Sequence, residues 1–299
     1  MYYSRPVRVF LGILFLAFFA WYMHTHFAGA TMSNDVGKAQ PAASVQTVQA
    51  ELQPQEAEPV EPEAVPTPEP TPELSPLMQT AKANADAKGL PMPPEIDIDD
   101  FQYILVNGDH PLDPINYEPS SFAYLNMTGE DTEVRTGYDP NRQQVDYRIG
   151  QPLVDMTQAC KAAGNPIYLS SGYRSYNDQQ QNFARVCYNN GITDGKNAEG
   201  NYITMPAGCS EHQTGLCCDI TDRYYEIKND SIAEVPTVQW LAQHCAEYGF
   251  ILRFPQDKRD ITHVMGESWH FRYVGVEAAQ YMTENNLVLE EFVALYGVA

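Results

Sequence analysis

The sequence predicts an α+β fold, a central mainly antiparallel sheet with flanking helices, on two observations. Strand-like and helix-like runs intermix without regular β-α-β alternation. The globular signals are confined to residues 96–299, behind a lead of different composition. No internal repeat is visible.

In order along the chain, Arg5 and Arg8 precede an uninterrupted apolar run over residues 9–23, closed by His24, Thr25 and His26. Positive charge ahead of a chain-initial apolar run reads as an export signal with its positive end inside. The run is short for a full membrane span of about twenty residues, and Ala28-Gly29-Ala30 has the small-x-small form of a cleavage site. Residues 1–30 are therefore expected to be either a retained single-helix anchor in the cytoplasmic membrane or a removed signal peptide. Both put the remainder outside that membrane, anchored to it or secreted to the wall. Residues 31–95 are rich in Pro, Glu, Ala and Gln, with P-T-P-E-P-T-P-E at 66–73. Such a stretch buries too little apolar surface to offset its ordering entropy, so a disordered, extended linker is expected.

The folded part, 96–299, begins with F-Q-Y-I-L-V-N at 101–107, whose aromatic and β-branched content predicts a strand ending at Gly108. Polar and Pro-rich segments follow through Pro140. Residues 154–163 carry a helical apolar pattern closed by Gly164-Asn165-Pro166. A strand is predicted at 167–170, a helix at 177–188 ended by Asn189-Asn190-Gly191, and a strand at 216–221. A helix at 238–248 stopping at Gly249, strands at 250–253 and 270–274, and helices at 276–284 and 289–296 complete the pattern.

A net charge of −21 disfavours nucleic acid and anionic lipid head groups as partners, because either surface would repel the chain. The six cysteines all follow residue 159 and none forms a C-x-x-C pair, so a zinc-finger or thioredoxin pattern is excluded. Export permits disulfides among them. Adjacent Cys217 and Cys218 also read as small buried residues on a strand.

Chemistry concentrates in C-S-E-H-Q-T-G-L-C-C-D at 209–219 and E-S-W-H-F-R-Y-V-G at 267–275. His212, Asp219 and His270 are three metal-ligand types, and two imidazoles with one carboxylate leave a tetrahedral zinc open for water. On a strand, Cys217 and Asp219 would point together while Cys218 points away. His212 with Asp219 alone also fits a backbone-bonded histidine and a solvated aspartate. Glu267, three residues before His270, adds what hydrolysis needs: a carboxylate that is not a ligand, able to take a proton from the attacking water and return it to the leaving amine. Trp269 is expected to wall the site from bulk water. Arg174, in the turn S-G-Y-R-S at 171–175, could stabilise an oxyanion or clamp a terminal carboxylate, with Arg272 as a rival for either task. Gly172 is expected to permit unusual backbone angles in that turn. Of the remaining histidines, His244 reads as a helix side chain and His263 as a loop residue.

S-G-Y-R-S followed by Gln181, S-E-H-Q-T-G-L with its aspartate, and E-S-W-H-F-R-Y-V-G resemble, in that order, the three signature blocks of the VanY-type D-alanyl-D-alanine carboxypeptidases. These zinc peptidases of the cell wall are related to VanX-type dipeptidases and L,D-carboxypeptidases. I-L-V-N-G-D-H-P-L at 104–112 and N-L-V-L-E-E-F at 286–292 look like the family's entry strand and final helix, so the resemblance covers about residues 96–297. It implies an α+β fold with a zinc site on the sheet, His212, Asp219 and His270 as zinc ligands, Glu267 as general base and Arg174 as the transition-state or substrate-binding arginine. Ser210, Gln181, Tyr173, Trp269 and Arg272 are expected to contact substrate. The implied cofactor is Zn2+, and the implied substrate is a peptidoglycan stem peptide cut at its terminal D-Ala-D-Ala bond by a monomeric catalytic domain. The same apparatus would serve an L,D-carboxypeptidase trimming tetrapeptides, and a non-catalytic wall-binding protein on this fold is the rival from another class. Cys217-Cys218 departs from the small or apolar residues usual there.

Overall fold

A computed structural model describes residues 73–129, 131–134, 139 and 141–298. The expected export segment, with its membrane anchor or cleavage site, lies outside them. Among the described residues no helix is long and apolar enough to cross a membrane.

Helix α1 (Pro76–Lys88) opens the fold. Ser75 accepts a hydrogen bond from the Met78 amide at its start, Pro76 occupies the first turn, and Gly89 ends it in the left-handed conformation at φ 69°. Its buried face is Met78, Ala81 and Ala85, packed with residues of the chain's last two helices. The linker expected over 31–95 is corrected over this stretch: the Ala spacing supplies an apolar face that the Pro- and Glu-rich composition masks. The strand predicted at 101–107 is also corrected. Asp100 accepts from the Gln102 amide and starts a 3-10 turn, Phe101–Tyr103, after which the chain runs irregularly.

Two antiparallel sheets follow. The smaller, in the order β2-β1-β3, joins β1 (Phe122–Asn126), β2 (Thr132–Val134) and β3 (Arg142–Asp146). It falls where the sequence shows polar segments without clear alternation. The larger has the order β4-β5-β7-β6, from β4 (Tyr168–Ser171), β5 (Cys217–Thr221), β6 (Phe250–Phe254) and β7 (Glu267–Tyr273). Helix α2 (Tyr147–Ala162), capped by Asp146, covers one face. Its Ile149, Leu153, Met156 and Cys160 pack with Leu169, Cys218, Ile220, Phe250 and Phe271 into the main core. A fully buried Leu, Ile or Phe contributes roughly 1.5–3 kcal/mol, so this layer fixes the sheet's register.

Helix α3 (Tyr176–Asn190) is capped by Ser175 and closed by Gly191. Helix α4 (Pro236–His244) passes into the 3-10 turn Cys245–Tyr248, so the predicted 238–248 helix tightens in its last turn. The one-turn α5 (Arg259–Thr262), α6 (Val276–Glu284) and α7 (Leu289–Leu295) complete the chain. The α+β fold with antiparallel sheets and flanking helices is as the sequence predicts.

Candidate active site

The face of the larger sheet opposite α2 carries the site. Alternation along β5 sends Cys218 and Ile220 into the core and leaves Cys217 and Asp219 on the other face. Asp219 pairs with Ser171 on one side and His270 on the other. His212 arrives from a 3-10 turn, Glu211–Thr214, which Gly215 ends at φ 73°. A Cβ on Gly215 would lie 2.8 Å from the Asp146 amide nitrogen, so only glycine lets the chain turn there into β5.

These elements bring His212, Asp219 and His270 together. Asp219 Oδ1 lies 3.4 Å from His212 Nε2 and 3.2 Å from His270 Nδ1. His212 Nδ1 donates to the Gly172 carbonyl at 2.7 Å, which leaves Nε2 facing the shared point. His270 Nε2 donates to Glu211 Oε2 at 3.3 Å and leaves Nδ1 facing it. Asp219 Oδ1 and His270 Nδ1 are buried without a hydrogen-bond partner. Buried orphan atoms are costly, and a cation at the shared point would satisfy both. Imidazoles held by a hydrogen bond at the other ring nitrogen are also what metal centres use to fix ligand orientation. The donor set therefore fits a divalent metal, and His212, Cys217 and His270 form a possible metal-binding group with ligand atoms within 4.8 Å of one another.

Electrostatics point the same way. Burial would lower the His212 pKa, but Cys217 and Asp219 outweigh it and bring it to about 9. Burial likewise opposes, and Cys217 and Asp219 reverse, a pKa for His270 that ends well above the usual range. Burial would raise Asp219; Lys228 and His212 instead hold it well below the usual carboxylate range. Lys228 Nζ donates to Asp219 Oδ2 at 2.5 Å and rests over the Trp269 ring at 5.5 Å. With Oδ2 so engaged, Oδ1 is the oxygen left to the centre. The site thus concentrates negative charge that draws protons, the demand a dication would meet.

Glu267 stands at the start of β7, its Oε2 3.5 Å from His270 Nδ1 and its side chain 24% exposed, where those of the three donors are at most 9% exposed. Burial and Asp219 raise its pKa while His270 opposes them. A carboxylate of raised basicity at the mouth of a metal site suits proton abstraction.

Arg174 is positioned by its own turn. Its amide donates to the His212 carbonyl at 3.0 Å, and its guanidinium to Gln179 Oε1 at 2.6 Å and Ser171 Oγ at 3.0 Å. Gly172 serves by close approach instead of unusual angles, for a Cβ there would sit 2.2 Å from the Gln144 carbonyl oxygen. Tyr173 packs on Phe122 with ring centroids 4.7 Å apart and planes tilted by 53°, and Ser210 is buried at the start of the His212 turn.

Three expected contacts are corrected. Gln181 is exposed on α3, while Gln179, two residues earlier, is buried, holds Arg174 and donates to the Met205 carbonyl at 2.5 Å. Two positions along a helix rotate a side chain to another face. Arg272 is wholly buried and spent internally, on Glu211 at 2.9 Å and on the carbonyls of Tyr273, Gln102 and Ile104. It cannot meet a substrate carboxylate. Trp269 is buried and packs with Ile232 and Val238, with Lys228 over its ring. His244 pairs with Glu247 and His263 is exposed.

Sequence reasoning missed the charge cluster beneath His270. Glu211 Oε1 accepts from Arg253 Nε at 2.7 Å and from Arg272 Nη1 at 2.9 Å, and Arg253 also forks onto Glu290 at 2.6 and 2.8 Å. The available signal was Arg253 itself, a charge inside the apolar strand F-I-L-R-F. All six cysteines are free, and all but the half-buried Cys209 are buried. Burial lifts Cys160 and Cys245 to about 12. The same burial would raise Cys217, yet His212 and His270 bring it down to about 7.

Residues 142–276 match the VanY family of D-alanyl-D-alanine carboxypeptidases. The chain is 35% identical over 191 residues to YodJ of Bacillus subtilis (strain 168), covering 63% of this chain and 65% of that protein, just under two thirds of its length. It is 31% identical over 194 residues to VanXYC of Enterococcus gallinarum, a bifunctional D-Ala-D-Ala dipeptidase and carboxypeptidase, covering 63% of this chain and 91% of that one. Among solved structures it resembles the LdcB LD-carboxypeptidase, at a TM-score of 0.53 and 33% identity, over 63% of this chain and 83% of that one.

Proposed function

The chain belongs to the VanY D-alanyl-D-alanine carboxypeptidase family, and we propose that it is a zinc-dependent D,D-carboxypeptidase acting on the terminal D-Ala-D-Ala bond of peptidoglycan stem peptides. The observation that carries this reading is the convergence of His212, Asp219 and His270 on one point, with two buried polar atoms left unpaired there. A zinc ion held by these three side chains would polarise the scissile carbonyl and make water a nucleophile near neutral pH.

The chain's own residues do the rest. Glu267 takes the proton of the attacking water and passes it to the leaving amine. His212 and His270, held by Gly172 and Glu211, keep their free nitrogens on the centre. Arg174, braced by Gln179 and Ser171, presents its guanidinium beside His212 to the developing oxyanion or the substrate's terminal carboxylate. Ser210 and Tyr173 border the substrate. The apolar run over residues 9–23 behind Arg5 and Arg8 supports a position outside the cytoplasmic membrane, where stem peptides lie.

Gln179→Ala should free the Arg174 side chain and lower kcat/KM by about 10- to 100-fold through misplacement of the guanidinium, while Gln181→Ala leaves it unchanged. Steady-state kinetics of both variants check this, and equal losses would remove the bracing role.

The likeness to LdcB keeps an L,D-carboxypeptidase as the second reading. Incubating zinc-loaded protein with a pentapeptide ending in D-Ala-D-Ala and with the corresponding tetrapeptide, and weighing the products, separates the two. We expect loss of one alanine from the pentapeptide and an intact tetrapeptide. Cleavage of the tetrapeptide alone would favour the second reading, and cleavage of neither would refute a carboxypeptidase.

A further inference from the structure

The mechanism above leaves one side chain at the centre without a task. Cys217 precedes Asp219 by two residues on β5, so both leave the same face of the strand. Its Sγ and the ligand nitrogens of His212 and His270 lie within 4.8 Å of one another. It is wholly buried. The adjacent Cys218 points into the apolar core with Ile220 and Phe271, so the strand aims one thiol at the centre and the other away from it.

A second observation concerns the same point. Asp219 Oδ1 and His270 Nδ1 have no hydrogen-bond partner, although Asp219 is 6% and His270 2% exposed. Cys217 Sγ lies within 4.8 Å of a nitrogen of each imidazole, and Asp219 Oδ1 lies 3.4 and 3.2 Å from the same two rings, so two nitrogens, one oxygen and one sulfur offer a four-donor set of the kind tetrahedral zinc takes.

We infer that Cys217 is a further protein ligand of the metal that His212, Asp219 and His270 hold, which makes the resting centre one of two histidines, one aspartate and one cysteine. The inference rests on the metal centre proposed above. On binding, the Cys217 S–H bond breaks, a sulfur–metal bond forms, and the proton leaves to solvent. A thiolate in the set favours zinc over harder cations such as Mg2+, Ca2+ and Mn2+. It also closes the resting shell, so the site opens to water and substrate by adding a fifth ligand or by releasing the sulfur.

X-ray absorption at the zinc edge of the zinc-loaded full-length chain tests this. The expected spectrum contains a sulfur neighbour at about 2.3 Å beside nitrogen and oxygen neighbours at about 2.0–2.1 Å. Cys217→Ala should keep zinc and lose the sulfur shell, and Cys209→Ala should keep both. Zinc bound by nitrogen and oxygen alone in the unsubstituted chain would overturn the ligand assignment and leave the His212–Asp219–His270 centre standing. A sulfur shell that survives in Cys217→Ala would overturn it equally. Failure of the unsubstituted chain to bind zinc would overturn both the ligand and the centre.

Discussion

Glu267→Gln is expected to lower kcat by about 10^2- to 10^4-fold, the range a positioned general base supplies, while zinc content stays at that of the unsubstituted protein. The two side chains have nearly the same shape, so packing at the start of β7 is preserved and only proton affinity is lost. Glu267 stands beside the three donors and outside them: its Oε2 is 3.5 Å from His270 Nδ1, and its side chain is more exposed than any of theirs. Burial and the charge of Asp219 raise its proton affinity against the opposing pull of His270. A bound dication would draw that affinity back down, which tunes the carboxylate between taking the proton and returning it. Metal analysis and steady-state kinetics on the same sample read both quantities. Turnover close to normal would remove Glu267 from the mechanism, and loss of zinc would make it a ligand.

Glu211→Gln should cost about 3–5 kcal/mol of stability, because it leaves the buried Arg272 guanidinium without a carboxylate and Arg253 with Glu290 alone. For a domain of this size that corresponds to a fall in Tm on the order of 10 °C. Arg253 and Arg272 are each wholly buried, and Glu211 accepts from both. Burial would raise the Glu211 pKa, but Arg253 and Arg272 hold it well below its ordinary 4.5. The sign follows by linkage. The unfolded chain takes up this proton first as pH falls, so the stabilisation is complete above the ordinary carboxylate pKa and is lost progressively below it. Denaturation of metal-free protein across a pH series should therefore show a steep acid loss in the unsubstituted chain and a shallower one in Glu211→Gln. Parallel curves would mean that the cluster contributes no such linkage. Because Glu211 also orients His270, the variant should bind zinc more weakly, on the order of 10- to 100-fold.

Much of the site was legible because its chemistry is local. Strand alternation separated Cys217 and Asp219 from Cys218, and S-E-H-Q-T-G with E-S-W-H supplied donors and a carboxylate at spacings that the sheet brings together. What the sequence hid depends on helical phase, on depth or on distant pairing. The phase of α3 selects Gln179 over Gln181 as the partner of Arg174. Alternation puts Arg272 on the His270 face, but its depth, under the carbonyls of Gln102 and Ile104, comes from a segment far away in the chain. The bond between Glu211 and Arg253 likewise spans 42 positions. Helix α1 was obscured by composition, since its apolar face needs only Met78, Ala81 and Ala85. The β1–β3 sheet lies in polar, Pro-interrupted sequence, where neither period dominates.

The central claim is that His212, Asp219 and His270 form one metal centre, and equilibrium zinc titration against a competing chelator tests it most directly. The unsubstituted full-length chain should bind one zinc per chain tightly, and Asp219→Ala, His212→Ala and His270→Ala should each lose that binding under the same conditions while keeping their far-ultraviolet circular dichroism. Zinc bound by folded Asp219→Ala as tightly as by the unsubstituted chain would contradict the account.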